Sequence, residues 1–365
     1  MKKIEVNKVG LKSKISFLDI LRNDIGSVDL EIENSIPRKL DGWIEDVIGE
    51  SKWKYDVSAL EGSISKPVWD LLERGGKRWR PFLMKLCFDA VSSDDGNFVD
   101  IDKFLSLPEI IHNGTLMIDD VEDDSDFRRG KPCVHKIYGS DLAINAGNAM
   151  YFLPMLKIIK SDLGVGVKVR IYELVHEEMI KLSFGQGMDI FWHGGNGVPS
   201  EDEYLQMCAF KTGTLARMAA KLGGILAGAD DEVIEVLGDF AESLGVAFQI
   251  QDDILNVCPG EDWGKDFGDD ISEGKRTLLV IRALKSICPE DAKDLIRILN
   301  LKTKNKVIIG EAVGILKNSS SIGYASDFAR SLVREAWDKL DLVLENSESK
   351  NKLKMFCDFV VERDI

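Results

Sequence analysis

The sequence predicts an all-α fold, and three observations support this prediction. Apolar residues recur every three or four positions over long stretches, such as residues 171–182 and 233–248, which is the pattern of helices with one buried face. No run of alternating β-branched residues predicts a strand. Most of the nine prolines fall where helices would begin or end. We therefore expect a large bundle of helices.

The length leaves the number of domains open, because 365 residues would suit two or three domains of about 150 residues or one large helical domain. The composition changes only in the polar first 35 residues, in the Gly-rich residues 194–197 and in the polar residues 318–321. None of these segments is long enough to separate two domains. We expect a polar N-terminal extension over residues 1–35 and a single all-α domain over residues 36–365.

The charge of the chain argues against one class of partner. Asp and Glu number 62 and Lys and Arg number 47, which gives a formal net charge of −15. Such a surface repels polyanions, so we expect no binding to nucleic acid. An anionic substrate would need a local group of cations. With 44% hydrophobic and 30% charged residues, the composition is that of a globular protein rather than a disordered or fibrous one.

Neither membrane insertion nor disulfide bonding is indicated. No stretch reaches the roughly 18 unbroken apolar residues of a membrane span, and residues 1–5 lack the apolar core of a signal peptide. The six cysteines are scattered and include no C-x-x-C pair, which is typical of reduced thiols rather than of a zinc site or a disulfide framework. We expect a cytoplasmic protein without a membrane span.

Two predicted helices end in paired aspartates, and this duplication is the first functional signal. Asp119 and Asp123 are four positions apart, so a helix places both carboxylates on one face. Asp252 lies four positions after Phe248 and continues a second apolar stripe. Partly buried carboxylates without a partner are costly, so we expect a cation between the clusters, and oxygen ligands favour Mg²⁺. A solvated acidic loop explains one such run better than it explains two.

Basic residues are scarce but clustered around these helix ends. Forked Arg donors and Lys charges beside bound Mg²⁺ are what a diphosphate group requires. A single basic pair is more simply a surface patch, whereas four groups around two acidic clusters indicate a shared site for anions. The groups are Lys77, Arg78 and Arg80; Arg128, Arg129 and Lys131; Lys211; and Lys265 with Lys275.

These motifs resemble, in order and spacing, those of the trans-isoprenyl diphosphate synthases, which elongate prenyl chains head to tail. The resemblance covers about residues 65–282, and its form is similar to that of geranylgeranyl diphosphate synthases. The motifs are GGKRWRP at 75–81, DDVED at 119–123, RRGKP at 128–132, GQGMD at 185–189, KTG at 211–213, FQIQDD at 248–253 and GKDFGDDISEGK at 264–275. The resemblance implies a homodimer of the isoprenoid synthase type I fold, with both aspartate motifs at the mouth of a central cavity.

The resemblance also implies a role for each motif. It implies three Mg²⁺ ions per active site, with Asp119, Asp123 and Asp252 as ligands and Asp120, Asp253 and Asp270 in support. The diphosphate of the allylic substrate (dimethylallyl, geranyl or farnesyl) would be held by Arg128, Lys211 and Lys265. That of isopentenyl diphosphate would be held by Lys77, Arg80, His112 and Arg129. The cavity near the reacting carbons would be lined by Phe248 and Gln249, with Gln186, Asp189 and Lys275 as further candidates.

The expected mechanism follows from the charge that develops. Breaking the allylic carbon–oxygen bond produces diphosphate and an allylic cation, so the main requirement is to stabilise the leaving anion in a site that excludes water. No protein nucleophile is needed. The backbone carbonyl of Lys211 and the hydroxyl of Thr212 are the weak dipoles expected beside the cation.

Two small residues bear on the length of the product. The resemblance implies that the residues four and five positions before the first aspartate form the cavity floor, where large aromatics stop growth at fifteen carbons. Those residues are Thr115 and Gly114, and Ile111 lies one turn deeper. They argue for geranylgeranyl diphosphate or a longer product. A tight contact between helices would explain Gly114 nearly as well, since glycine costs about 1 kcal/mol relative to alanine in a helix.

Two positions depart from the resemblance. Asn256 stands where an aspartate is commoner, which weakens a metal ligand there. Pro108 lies where the helix that forms the cavity wall would run, so we expect this helix to kink or to begin late.

Four alternatives have weaker support. A longer-chain polyprenyl diphosphate synthase would use the same site with a deeper floor. A class I terpene cyclase would share the fold and the metal site, but it has no use for the second basic group at residues 75–81. A non-catalytic subunit of a heteromeric synthase would be expected to lack aspartates that this chain has. An acidic Ca²⁺-binding structural protein would leave the basic groups unexplained.

Overall fold

The computed structural model describes residue 21 and residues 26–92, 99–259 and 268–362, and it is almost entirely helical there. The all-α prediction is confirmed. From residue 26 onward, the described α-helices are α1 (Gly26–Ser35), α2 (Trp43–Ile48), α3 (Val57–Leu60), α4 (Lys66–Leu72), α5 (Trp79–Val91), α6 (Ser106–Glu122), α7 (Val134–Tyr138), α8 (Ser140–Phe152) and α9 (Leu156–Lys160). They are followed by α10 (Val165–His193), α11 (Glu201–Cys208), α12 (Thr214–Ala227), α13 (Asp231–Val257), α14 (Asp269–Glu273), α15 (Leu278–Leu284), α16 (Pro289–Leu301), α17 (Lys306–Asn318), α18 (Ser321–Val343) and α19 (Glu348–Val361).

Two hydrophobic clusters meet at helix α12. One surrounds α13, which packs against α12 and α18, and the other surrounds α6, which packs against α8. Helix α12 contributes Ala216 and Ala220 to the first cluster and Leu215 and Met218 to the second. Because both clusters share this buried helix, α6 and α13 belong to one continuous core. Their aspartate-bearing ends are therefore held in fixed positions.

Helix α1 lies within the polar segment of residues 1–35 and packs on the core. Val28, Ile32 and Ile36 are buried in the same cluster as α6. The hydroxyl oxygens of Ser35 and Ser106 lie 3.1 Å apart in this contact. Three apolar side chains at helical spacing thus dock this short helix. The division into a polar extension over residues 1–35 and an all-α domain over residues 36–365 stays a prediction.

Helix α6 begins close to its proline. A 3₁₀ turn, Ile101–Phe104, precedes the helix, and Pro108 occupies its first turn. The backbone N–H groups of a first turn have no acceptor within the helix, so the missing N–H of proline costs nothing there. The helix starts two residues before the proline instead of kinking at it, and it then runs to Glu122.

Helices α6 and α8 approach each other through two glycines. A Cβ atom added to Gly114 would lie 2.8 Å from the Cβ of Met150 and 2.9 Å from the carbonyl oxygen of Gly147. A Cβ atom added to Gly147 would in turn lie 2.8 Å from the Cδ1 of Ile118. Neither contact distance is possible for a real side chain, so the absence of side chains at these two positions sets the spacing of the two helices.

One apolar stretch, Ser140–Lys160, is long and apolar enough to cross a membrane by length and composition alone. The sequence analysis did not expect such a stretch. It consists of α8, a 3₁₀ turn and α9 rather than one continuous helix. About a third of its apolar window is buried, and on α8 Ala143, Ala146 and Met150 are buried on the side that packs against α6.

Candidate active site

The first acidic cluster lies at the C-terminal end of α6. Asp119 and Asp120 belong to the last turn of the helix, and Asp123 follows directly after it, with its backbone N–H donating to the carbonyl of Asp119. Gln186 of α10 donates from Nε2 to Asp119 Oδ1 over 3.1 Å and to Glu122 Oε2 over 2.7 Å. The further candidate Gln186 therefore lies in this cluster and ties α10 to α6.

Lys211 reaches the same cluster from a π-helical turn, Ala209–Gly213, between α11 and α12. Its Nζ lies 3.2 Å from Asp119 Oδ1 and 2.6 Å from Asp189 Oδ2. Burial alone would raise the pKa of Asp119, but Lys211, Lys275 and Arg128 outweigh burial and hold that pKa well below its usual range. Asp119 is therefore an anion surrounded by cations, and Asp189 also belongs to the site.

Two glycines allow neighbouring helices to clamp the turn that carries Lys211. A Cβ atom added to Gly185 of α10 would lie 2.4 Å from the backbone nitrogen of Lys211. On the other side, a Cβ atom added to Gly245 of α13 would lie 2.7 Å from the Cα of Gly213. Backbone packs directly on backbone at both contacts, which fixes the position of the turn. Gly185 opens the GQGMD motif, but nothing in the motif alone indicates this contact with the turn.

A two-residue hairpin places Arg128. Strand β1 (Phe127–Arg128) pairs antiparallel with β2 (Lys131–Pro132), and the turn between them has positive φ at Arg129 (52°) and Gly130 (75°). Turns of this kind match the twist of a hairpin. Arg128 donates from Nε over 2.8 Å and from Nη2 over 2.5 Å to Asp120 Oδ1, and Asp120 is only 1% exposed. The Arg128 guanidinium is thus held by Asp120, with Nη2 3.7 Å from Asp119 Oδ2.

Asp123 is the least satisfied carboxylate of the first cluster. Burial raises its pKa to about 6, although Lys275 opposes the shift. Its Oδ1 atom is buried without a hydrogen-bond partner, and His193 Nδ1 lies 4.0 Å away, also without a partner. An oxygen in this state is available to a further cation. The sequence analysis did not single out His193, because one histidine at the end of an apolar helix gives no distinctive pattern.

The second acidic cluster ends α13 and is built with neutral donors. Asp253 is 3% exposed; Tyr204 donates its hydroxyl to Oδ2, and Gln249 Nε2 donates to Oδ1 over 3.0 Å. Burial, with Asp270 nearby, raises the pKa of Asp253 to about 8. Gln249 in turn accepts from the Thr212 hydroxyl over 2.9 Å. Asp252 beside it is only partly buried.

Asn256 has a structural role at the position where an aspartate is commoner. It is 1% exposed, and its Oδ1 atom accepts from the backbone N–H of Asp270 over 3.3 Å. Its carbonyl accepts from the backbone N–H of Gly268 over 3.3 Å. Asn256 therefore attaches the start of α14, and with it Asp270, to the end of α13.

Lys275 joins the two acidic segments. Its Nζ lies 3.3 Å from Asp123 Oδ2, 2.5 Å from Glu273 Oε2 and 3.8 Å from Asp270 Oδ1. Burial would lower the pKa of Lys275, but the surrounding carboxylates raise it well above its usual range. The ammonium group of Lys275 thus contacts the first acidic cluster and also the segment that follows the second acidic cluster. Lys265, which was expected to hold the allylic diphosphate, lies outside the described residues.

A second cationic group, which includes Arg80, Arg129 and His112, lies around the start of α5 and has few carboxylate partners. Burial lowers the pKa of Arg80 to about 10, and burial with the nearby arginines lowers that of Arg129 to about 10. Burial and Arg80 likewise hold the pKa of His112 well below its usual range. The Nε atom of Arg80 is buried without a hydrogen-bond partner. Cations whose charge is so poorly compensated form a site for an anion.

Arg78 lies between these cations but serves the fold. It is 6% exposed, and its Nη1 donates to Glu109 Oε1 over 2.8 Å. Glu109 is also buried and accepts from Asn113. A buried Arg that is paired with a buried Glu cannot also serve a substrate without breaking the pair. In the sequence Arg78 belongs to the same basic cluster as Lys77 and Arg80, and the resemblance left it out of the diphosphate site; its carboxylate partner lies on a different helix.

The C-terminal helix α19 covers this second cationic group. Lys77 Nζ lies 5.7 Å from the centre of the Phe359 ring. The Trp79 ring lies 5.6 Å from that of Phe356 and 5.5 Å from that of Phe248 on α13. Aromatic contacts therefore connect the start of α5, helix α13 and helix α19, and the expected cavity residue Phe248 is part of these contacts.

The three residues that were predicted to form the cavity floor have different surroundings. Ile111 is fully buried, and Gly114 faces α8 at the contact described above. Thr115 is only partly buried, and its hydroxyl donates to the carbonyl of His112 over 2.7 Å. Of the three, Thr115 is therefore the residue that is not committed to helix packing. Their role in limiting product length stays a prediction.

The carboxylates of the site suit a metal ion that takes part of its ligands from the protein and part from a substrate. Among the described residues, no three Asp, Glu, His or Cys side chains converge on one point. Buried carboxylate oxygens without partners are nevertheless present at Asp120 Oδ2 and Asp123 Oδ1. Mg²⁺ commonly takes one or two carboxylates and completes its shell with water and phosphate oxygens, which agrees with this arrangement.

Comparisons with known proteins give a consistent result. The family model described as polyprenyl synthetase matches residues 61–316. A short chain isoprenyl diphosphate synthase of Methanothermobacter thermautotrophicus is 35% identical over 295 residues, which cover 80% of this chain and 88% of that protein. A geranylgeranyl diphosphate synthase of Methanosarcina mazei is 34% identical over 301 residues, with coverage of 80% and 88%. The solved geranylgeranyl pyrophosphate synthetase of Pyrococcus horikoshii superposes with a TM-score of 0.81 at 28% identity over 95% of this chain and 98% of that one.

Proposed function

The chain belongs to the polyprenyl synthetase family, and we propose that it is a prenyltransferase that condenses isopentenyl diphosphate head to tail with an allylic diphosphate. The all-trans product that its relatives support is geranylgeranyl diphosphate. One observation carries this proposal. The site has two separate cationic groups, one interleaved with carboxylates at Lys211 and Lys275 and the other poorly compensated at Arg80 and Arg129. Two diphosphate substrates require two such groups.

Mg²⁺ ions, three per site by family resemblance, would be held by Asp119, Asp123 and Asp252 together with diphosphate oxygens. When bound, they would neutralise the charge of the leaving diphosphate. Lys211 and Lys275 add fixed positive charge where that anion forms. The Arg128 guanidinium is already held by Asp120, so Arg128 adds its positive charge from beside the diphosphate. The partial burial of these groups strengthens each interaction with the diphosphate.

The allylic cation and its attacker are handled by different residues. The Thr212 hydroxyl and the Lys211 carbonyl are weak dipoles that can stabilise a cation without reacting with it. Arg80, Arg129, Lys77 and His112 would bind the diphosphate of isopentenyl diphosphate and hold its double bond within reach of the cation. The proton that is then lost would leave with the diphosphate, since no side chain of the site is an evident base.

A longer product is the second candidate. A geranylfarnesyl diphosphate synthase of Aeropyrum pernix is 34% identical over 312 residues, as similar as the geranylgeranyl synthases. Thr115 is small, and growth beyond twenty carbons depends on what closes the cavity below it. A class I terpene cyclase has less support, because it would leave the cationic group at Arg80 and Arg129 without a ligand.

Exposed apolar side chains on α8 and α10 support a homodimer. They are Ile144, Phe152, Ile180, Phe184 and Phe191, each more than two-fifths exposed. Large apolar side chains exposed in such numbers on two helices are typical of protein interfaces. We expect light scattering of the purified protein to give twice the 40.7 kDa mass of the chain. A monomer at micromolar concentration would contradict this part of the proposal.

The main test is incubation with isopentenyl diphosphate and farnesyl diphosphate, with Mg²⁺ or with EDTA, followed by chromatography of the products. We expect a twenty-carbon diphosphate that forms only with Mg²⁺. Products of twenty-five or more carbons would keep the reaction and favour the longer-chain candidate. Release of diphosphate from the allylic substrate without incorporation of isopentenyl units would contradict the proposal and favour the cyclase.

A further inference from the structure

Tyr204 is a buried residue that neither the sequence analysis nor the proposed mechanism uses. It lies on α11, is 2% exposed, and donates its hydroxyl to Asp253 Oδ2. The start of α11 is fixed by a capping box, in which Glu203 Oε2 accepts from the Ser200 backbone over 2.7 Å and Ser200 Oγ accepts from the Glu203 backbone over 3.3 Å. Tyr204 follows this box directly, so its position is well defined.

A chain of hydrogen bonds leads from Tyr204 to the reacting centre. Tyr204 contacts Asp253, Asp253 accepts from Gln249, and Gln249 accepts from the Thr212 hydroxyl. Three segments contribute, namely α11, α13 and the π-helical turn. The chain ends at the hydroxyl that the proposed function places beside the allylic cation.

Each bond in this chain fixes the direction of the next one. The NH₂ group of Gln249 faces Asp253 Oδ1, so its carbonyl oxygen faces Thr212. The Thr212 hydroxyl must then donate its hydrogen to Gln249. Its remaining lone pairs are directed away from Gln249, so that the negative end of the hydroxyl dipole is free to face the cavity.

Tyr204 also fixes the rotation of the Asp253 carboxyl group. The Tyr204 hydroxyl donates to Oδ2 and Gln249 Nε2 donates to Oδ1 over 3.0 Å, so the two oxygens are held from opposite partners. Without the tyrosine hydroxyl, only Gln249 would hold the carboxyl group, which could then rotate, and Gln249 would no longer be fixed toward Thr212.

We propose that Tyr204 is a positioning residue for prenyl transfer, acting through Asp253 and Gln249 to orient the Thr212 hydroxyl so that its lone pairs face the allylic cation. This inference rests on the proposed function. It gives Asp253 a role in orienting a dipole, because both of its carboxylate oxygens already accept hydrogen bonds from the protein.

The first test compares Tyr204→Phe with the wild type in the condensation assay. We expect kcat to fall by between about 10-fold and about 100-fold, as for other groups that orient a catalytic side chain. The KM values for both diphosphates should stay within about twofold, because the cations that bind them are not part of the chain. The matched control is Tyr324→Phe, which also removes a hydroxyl that donates to a carboxylate, that of Glu201, and neither residue is part of the hydrogen-bond chain. Its kcat should equal that of the wild type.

The deciding experiment is a double-mutant cycle with Thr212→Val, which removes the hydroxyl and keeps the shape of the side chain. If Tyr204 acts only through that hydroxyl, Tyr204→Phe has no further effect on kcat in the Thr212→Val background. Thr212→Ser should restore the full effect. Losses that multiply in the double variant would overturn the inference, as would unchanged kcat in Tyr204→Phe.

A second cycle cuts the chain nearer to Thr212, in case the buried tyrosine cannot be changed without loss of folding. Gln249→Met removes the acceptor, and its loss should likewise not multiply with that of Thr212→Val. Multiplied losses would again contradict the inference. Absence of condensation by the wild-type enzyme in the same assay would instead contradict the proposed function, so the two failures are distinguishable.

Discussion

The two acidic helix ends look alike in sequence but have opposite surroundings. At the end of α6, Asp120 accepts from the Arg128 guanidinium, and Asp119 lies 3.2 Å from the ammonium of Lys211. At the end of α13, Asp253 accepts from a phenol and an amide, both of which are neutral. The same pair of residue types is thus surrounded by cations at the end of α6 and by neutral hydrogen-bond donors at the end of α13. The neighbours of a carboxylate, rather than its motif, decide what it does.

The largest effect expected from this comparison concerns Asp119, which is surrounded by cations at the end of α6. Asp119→Asn removes the charge between Lys211, Arg128 and the expected Mg²⁺, so prenyl transfer should fall by about 10³-fold or more. The fold should be retained, because Asn keeps the size of the side chain. Steady-state rates and the melting temperature, with and without Mg²⁺, are the measurements. The control is Asp294→Asn, an exposed change on α16. A rate near that of the wild type would remove Asp119 from the metal site.

A smaller effect distinguishes the second aspartate of each pair. Asp120→Asn leaves the Arg128 guanidinium without a charged partner at 2.8 Å, so stability should fall by about 2 to 3 kcal/mol. Asp253→Asn should cost less than about 1 kcal/mol, because the new amide oxygen can still accept from Gln249 Nε2 and the new NH₂ group can donate to the Tyr204 oxygen. Denaturant unfolding of both variants measures the difference. Equal losses would mean that the surroundings of the two carboxylates are not the reason for their difference.

The smallest effects concern Gly114 and Thr115, which precede the aspartates on α6. Gly114→Ala should lower stability by about 1 to 2 kcal/mol, since its new methyl group would overlap with Met150 and Gly147. Gly314→Ala on α17 is the control, because nothing lies within 4 Å there and the helix should gain about 0.5 to 1 kcal/mol. Thr115→Phe should leave stability near that of the wild type and shorten the product, as read by chromatography. An unchanged product would exclude Thr115 from the floor.

Much of the fold could be predicted because helical periodicity records which face of each helix is buried. The aspartates and Lys211 could be found because polar residues interrupt or end apolar stripes. Periodicity does not say which neighbour covers a face, so it could not decide whether Gly114 borders the cavity or α8. The hairpin Phe127–Pro132 was missed because two-residue strands carry no repeating pattern.

Tyr204 was missed for a related reason. A single aromatic residue at a buried helix position is the ordinary filling of a core, and only its hydroxyl partner distinguishes it. That partner is 49 residues away in the chain, on another helix. Arg78 was grouped with its basic neighbours for the same reason, since Glu109 lies 31 residues away. The roles of such residues depend on contacts between distant segments, which one sequence does not show.

The contact of Phe356 and Phe359 with Trp79 and Lys77 bears on how the protein is made. These residues are paired in space, but they are separated by most of the described chain. On the ribosome, α5 emerges long before α19 has been synthesised, so the second cationic group stays uncovered until α19 emerges. Nascent chains that stop before α19 should therefore carry both aspartate motifs and still lack a complete binding site for the second diphosphate.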